Sequence, residues 1–189
     1  MPLALEPELP VLALCAVMAR PPLLDGVAAE LENEIGPVGR RGPVYRFDYT
    51  SYYEEEMGGD LCKQVLAFAD LVPPHRLAEL KGRAMEIERR LGLEDGGRGR
   101  RRSANIDPGL LSESSLVLAT AKYGRHRIAV APGLYAEITL LFERGRYRPQ
   151  PWTYADYRSG EMQAFLLGLR GDLLERRRRE RPQPPGQAR

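Results

Sequence analysis

Ile128-Ala129-Val130-Ala131-Pro132-Gly133-Leu134-Tyr135-Ala136-Glu137-Ile138-Thr139-Leu140-Leu141-Phe142-Glu143 reads as a β-hairpin, and this reading decides between two fold classes. Ile128 to Val130 supplies a first arm and Pro132-Gly133 the turn. In the second arm Leu134, Ala136, Ile138, Leu140 and Phe142 take one face, while Tyr135, Glu137, Thr139 and Glu143 take the other, the period of a half-buried strand. A doubly wound parallel sheet needs a crossover between each pair of strands and helices on both faces. The hairpin argues against it.

Upstream, Val11-Leu12-Ala13-Leu14-Cys15-Ala16-Val17-Met18 is apolar on both faces, as a central strand would be, and Arg20-Pro21-Pro22 closes it. Leu24, Val27, Ala28, Leu31 and Ile35 recur at helical spacing up to Gly36-Pro37. Tyr45, Phe47 and Tyr49 alternate with Arg46, Asp48 and Thr50, a second strand. Leu61 to Leu71 fits either a helix stripe or a buried strand, and we assign it to strand. Pro73-Pro74 opens a helix with the stripe Leu77, Leu80, Ala84, Ile87 and Leu91. Pro108-Gly109 is turn chemistry with Asn105 and Asp107 projecting before it, and Leu116 to Ala121 is a buried segment. Downstream, Gly145 turns the chain towards Tyr147, and an aromatic loop from Pro149 to Arg158 precedes a last helix bearing Met162, Phe165, Leu166, Leu169 and Leu173. The order gives an α+β class with a ferredoxin-like split βαβ core, a mostly antiparallel sheet with a C-terminal β-hairpin and helix added. Two helices cross one sheet face, and the polar side of the strands is left to carry a site.

A chain of 189 residues with 43% apolar content supports one core. We expect one domain over residues 1–175 and a disordered Arg/Pro-rich tail over 176–189. The tail holds six arginines against Glu180, so the net charge of +2 conceals a mildly acidic body of 22 basic against 25 acidic residues. That balance argues against a broad basic face for nucleic acid and leaves only the tail as a sequence-indifferent contact. Glu6 and Glu8 stand where a signal peptide needs positive charge, and Val11 to Ala19 is too short to span a bilayer. The expectation is a cytoplasmic protein with no membrane attachment and two reduced thiols, Cys15 and Cys62.

Candidate chemistry concentrates in Phe47-Asp48-Tyr49-Thr50-Ser51-Tyr52-Tyr53-Glu54-Glu55-Glu56-Met57-Gly58-Gly59. With Asp60, five carboxylates fall within thirteen residues and no base lies between them, a pattern whose oxygen ligands suit Mg²⁺, Mn²⁺ or Ca²⁺, with Mg²⁺ or Mn²⁺ the expected cofactor. Adjacent glutamates cannot all aim at one ion, so the expected ligand set draws on separate elements: Asp48, Glu55, Asp107 and Glu137. The compact basic group Lys122, Arg125, His126 and Arg127 supplies Lys122 and His126 as candidate catalytic groups. Tyr52, Tyr53, Asn105, Arg125, Trp152 and Tyr154 are the candidate ligand-binding residues. Lysine occurs only at positions 63, 81 and 122, and arginine fills every other basic position. Walker A, dinucleotide-glycine, HExxH and nucleophile-elbow patterns are absent. Two functions stay open: a domain binding a small anionic, nucleotide-like molecule, and a non-catalytic interaction domain in which proline-bracketed aromatics pin loops to the core.

Five motifs in order carry a resemblance. They are Asp48 to Gly58, Asn105-Ile106-Asp107-Pro108-Gly109, Leu118 to Lys122 with His126-Arg127-Ile128, Tyr135 to Leu140, and Pro151 to Arg158. Together they resemble the uncharacterised prokaryotic family catalogued as domain of unknown function forty-four sixteen, over about residues 9 to 175. The resemblance implies no established activity.

Overall fold

Nine consecutive residues, Val11–Ala19, form β1, and all nine are buried, because neither face of the strand meets solvent. A computed structural model of the chain describes residues 8–49, 53–94 and 100–180. After β1 come α1 (Leu24–Glu34), β2 (Val38–Arg41), β3 (Tyr45–Arg46), the single turn α2 (Glu54–Met57), β4 (Cys62–Val72) and α3 (Leu77–Leu91). A small pair, β5 (Leu93–Glu94) and β6 (Arg100–Arg101), leads to β7 (Ala104–Leu111), β8 (Ser115–Thr120), β9 (Ile128–Ala131), β10 (Leu134–Glu143), β11 (Arg146–Pro149) and α4 (Gly160–Glu180). Among the described residues one nine-stranded sheet runs β11-β10-β8-β7-β1-β4-β2, with β3 against β4 and β9 against β10. Its pairings are antiparallel. The class is α+β, as expected, and the segment that fitted either a helix or a strand is strand β4.

The two faces of β1 divide the core. Ala13, Cys15 and Val17 pack with α1 and α3 through Val27, Leu31, Leu80 and Ile87. Leu12, Leu14 and Ala16 pack on the other side beneath Met162, Phe165, Leu166 and Leu169 of α4. The polar sheet face expected to lie open is therefore covered. The reason is the α4 stripe itself, whose apolar side chains need a partner and find it in Val65, Leu116 and Leu140.

Three local expectations change, each for a physical reason. Pro108-Gly109 is no turn but lies inside β7, where Cys15 is the register partner of Pro108. Proline has no N–H for a ladder, and β8 pairs with β7 only at Gly109, Leu110 and Leu111, so the two strands part at Pro108. The strand through Tyr45 ends at Arg46. Phe47 instead donates its N–H to the Leu61 carbonyl at 2.8 Å and buries its ring with Met18, Met57 and Leu61, leaving Asp48 and Tyr49 exposed. In β10 the alternation slips, because a bulge inserts one extra residue between Ile138 and Leu140 against Val117 and Leu116. Glu137 and Thr139 are thereby buried and Ile138 is exposed, the reverse of a regular strand with its apolar side inward.

Helix α4 also extends beyond residue 175, as far as Glu180. Arg176 donates to the Ala69 carbonyl, and Arg177 donates Nε to the Pro10 carbonyl at 3.0 Å. Residues 181–189 lie outside the described residues. A chain ending at Glu180 is expected to melt with the full-length protein. One ending at Glu175 loses the charge-assisted bonds of Arg176 and Arg177, about 2 kcal/mol, and melts roughly 5 °C lower. Equal melting points for the two truncations would refute the anchoring role.

Cys15 and Cys62 are free thiols. Cys15 is fully buried, and burial pushes its thiol far above the ordinary value, so it stays protonated. Among the described residues no helix is long and apolar enough to cross a membrane.

Candidate functional site

The parting of β7 and β8 at Pro108 opens a cavity of about 180 Å³. Its floor is polar because two elements present charged side chains inward. On α3, Lys81, Met85 and Glu88 follow one another at helical spacing along the flank of the Leu77–Ala84 stripe, and on β7 Asn105 and Asp107 share a strand face. The end of β8 through Lys122, Glu137 of β10, and Tyr53, Arg102, Arg127 and Tyr154 complete the walls. Four cations face three carboxylates along this lining.

Those charges are wired together. Lys81, 4% exposed, donates to the Ile106 carbonyl at 2.7 Å and to Asp107 Oδ1 at 3.2 Å, with Glu88 Oε1 at 4.0 Å. Glu88 accepts the Ile106 N–H at 2.6 Å, and burial pushes its carboxyl above the ordinary range although Lys81 pulls the other way. Asn105 donates to Asp107 Oδ2 at 2.7 Å and accepts from Arg102 at 3.0 Å, while Arg102 also reaches Glu56 at 2.6 Å. Glu137 is held by Arg127 Nε at 2.7 Å and by His126 Nε2 at 3.2 Å. Where the network is buried, at Lys81, Glu88 and Glu137, it fixes where each tip points, because an unmade bond there would be expensive.

Behind the cavity lies an inner hollow of about 30 Å³, about the share of one water in the liquid. The two spaces share Tyr53, Asn105, Asp107, Leu118 and Tyr154. Lys63 lines the hollow, bonded to Asp156 Oδ2 at 2.5 Å and standing 4.5 Å over the Tyr157 ring. Tyr45 donates its hydroxyl to the same Asp156 oxygen at 2.8 Å. Asp156 Oδ1 and the Tyr157 hydroxyl are buried without a hydrogen-bond partner among the described residues.

Of the residues singled out from sequence, Tyr53, Asn105, Asp107, Lys122, Glu137 and Tyr154 do line one cavity. Asp48 does not, being exposed past the end of β3. Asp48, Asp107 and Glu137 do not gather as a metal-ligand set, and among the described residues no three His, Cys, Asp or Glu side chains do. Glu137 already serves Arg127 and His126. Tyr52 and the Glu55 side chain lie outside the described residues. Arg125 points to solvent, because a turn closed by the Arg127 N–H on the Gly124 carbonyl at 3.0 Å turns Arg127 inward in its place. His126 stops short of the lining, stacked on Trp152 with ring centroids 4.7 Å apart. Trp152 donates Nε1 to the Ile138 carbonyl at 2.9 Å, beside the β10 bulge.

Sequence reasoning missed Glu88 and Arg102. Lys81 and Glu88 stand seven residues apart on the buried flank of α3, a charged pair at core spacing, and that was the available signal. The lysine count was the other. Lys81 and Lys122 line the cavity and Lys63 the hollow behind it, so all three lysines of the chain meet there.

The family model described as Domain of unknown function (DUF4416) matches residues 9–172, a span that contains every residue of the cavity. No curated protein and no solved structure matches the chain.

Proposed function

We propose that the chain, which belongs to the family Domain of unknown function (DUF4416), binds a small anionic ligand in the cavity between α3, β7, β8 and β10. The convergence of its only lysines carries this reading. Arginine fills every other basic position, and lysine differs from it in offering a compact point charge on a flexible stem. Lys122, exposed beyond the end of β8 with its ammonium 5.5 Å over the Tyr53 ring, is the cation placed to meet the ligand. At about 180 Å³ the cavity is smaller than the roughly 300 Å³ at which pockets begin to enclose whole ligands. It takes a sugar phosphate or the phosphate end of a nucleotide, with the base outside against Tyr154. The test is calorimetry with AMP, GMP and ribose 5-phosphate. Lys122→Ala should weaken binding at least about tenfold and leave the melting temperature unchanged. Failure of all three to bind the wild type, or equal binding by the variant, would sink the reading.

A second reading has its own observation. Trp152 holds the Ile138 carbonyl, Thr153 holds the Thr139 carbonyl at 2.5 Å, and Asp156 holds Lys63 and Tyr45, so most of the motif from Pro151 to Arg158 pins a loop over the bulge. On this reading the motif serves the fold of an interaction domain. For the fold we read β1, α1, β2, β4, α3 and β7 as a ferredoxin-like split βαβ core. The strand order β7-β1-β4-β2 and the packing of α1 and α3 on one face support this.

A further inference from the structure

A second concavity lies away from the lysine cavity, at the outer edge of the sheet where β11 meets the start of α4. It measures about 220 Å³ and is lined by Arg146, Tyr147, Arg148, Pro149, Arg158 and Gln163. Among the described residues its lining contains three guanidinium groups and no carboxylate. None of the three arginines has an ion pair among the described residues, although Glu143 is the register partner of Arg146. Other part-buried arginines are matched by carboxylates, Arg127 by Glu137 and Arg102 by Glu56 and Glu88, or by carbonyls, Arg170 by Glu113 and Arg176 by Ala69.

We infer that this hollow is an oxyanion-binding site that takes a phosphate-sized dianion. Arg148 Nε is buried and has no hydrogen-bond partner among the described residues, so its guanidinium carries an unmatched donor. Among the described residues Arg158 is anchored by one nitrogen, NH2 to the Gln150 and Thr153 carbonyls at 3.3 and 3.2 Å, and its other donors make no hydrogen bond. Gln163 gives its amide to the Tyr157 carbonyl at 3.0 Å, and Tyr147 gives its hydroxyl to the Ser112 carbonyl at 3.2 Å. Those two side chains shape the hollow, and the charge comes from the arginines. Planar guanidinium forks recognise tetrahedral oxyanions through paired N–H bonds. At about 220 Å³ the hollow is below the roughly 300 Å³ of pockets that enclose whole organic ligands, and it has room for a phosphoryl group. The same chemistry is offered by free phosphate and by a phosphate ester whose organic part lies outside.

Titration of the full chain with inorganic phosphate, followed by amide chemical shifts, tests this. Phosphate should move the amides of Tyr147, Arg148 and Gln163, and Arg148→Gln should weaken its binding about tenfold, the size of one charge-assisted bond. Arg146→Gln, at an exposed position, should weaken it with no change in melting temperature, which keeps the test decisive if Arg148→Gln folds poorly. Ribose 5-phosphate moving the same amides at equal affinity would identify the phosphoryl group as the recognised part. The same amides moving with inorganic phosphate alone would restrict the site to the free anion. If both variants bind phosphate as the wild type does, or if phosphate moves only the amides of Asn105, Thr120 and Lys122, the inference is overturned. Lys122→Ala separates the two sites, since it should weaken binding at the cavity and leave the β11 amide shifts intact.

Discussion

Asp156→Ala is expected to destabilise the protein by about 3–5 kcal/mol, lowering the melting temperature by roughly 10 °C or more. The Asp156 side chain is 1% exposed and the Lys63 side chain 11%. Removing the carboxylate leaves the Lys63 ammonium buried among the Phe47 and Tyr157 rings, 5.6 and 4.5 Å from their centroids, with no counter-charge. Tyr45 loses its acceptor in the same step. Burial, with the carboxylate beside it, pushes the Tyr45 hydroxyl far above its ordinary value, so it stays protonated and must donate. The cost therefore comes from stranded partners more than from the lost bond. The double replacement Lys63→Met with Asp156→Leu removes both charges at similar volume and should recover most of the stability. Thermal melts of the three variants decide the matter. A single-variant cost below about 1 kcal/mol would mean that water reaches the ammonium and the pair is not a buried one.

Gly109→Ala is the second large effect, expected at about 3 kcal/mol. A Cβ at this position would lie 2.5 Å from Leu118 Cδ2, 2.8 Å from the Val117 carbonyl oxygen and 3.2 Å from Leu14 Cδ1. The leucine tips can turn aside. The carbonyl oxygen belongs to β8 and cannot move without pulling that strand from its neighbour. Gly109 is also the first β7 residue that pairs with β8, opposite Leu118, so the clash falls where the strands part and the cavity begins. The substitution should lower stability in urea melts and loosen the cavity as well, so that any ligand bound there binds more weakly per remaining folded molecule. Gly82, which has open space around its Cβ position, is the control. Gly82→Ala should be neutral or stabilising, since it sits inside α3. Equal costs for the two substitutions would remove the argument from close approach.

Periodicity carried much of the fold. The nine apolar residues of β1, the stripes of α1, α3 and α4 and the Pro132-Gly133 hairpin are local patterns, and each describes an element whose burial repeats along its own sequence. What sequence could not carry was the phase of those patterns against one another. Glu137 looked like the polar side of β10 because alternation was counted without the bulge at Thr139, a feature fixed by pairing with β8. Pro108-Gly109 looked like a turn because the local chemistry of turns and of parting strands is the same. Asp48 looked like a rigidly held carboxylate because nothing local says that Phe47 leaves the sheet for Met18, Met57 and Leu61.

The candidate site divides along the same line. Residue types alone marked Asp107, Lys122, Glu137, Asn105, Tyr53 and Tyr154, and the rarity of lysine against arginine marked positions 63, 81 and 122. Composition can reveal that a residue type is being kept, without revealing where it stands. The convergence of those lysines, the exchange of Arg125 for Arg127, the recruitment of Glu88 and the pairing of Lys63 with Asp156, 93 positions away, belong to the tertiary structure. They depend on which strand faces which helix and at what register, and contacts between distant segments are set by the packing of whole elements, which no local window of sequence contains.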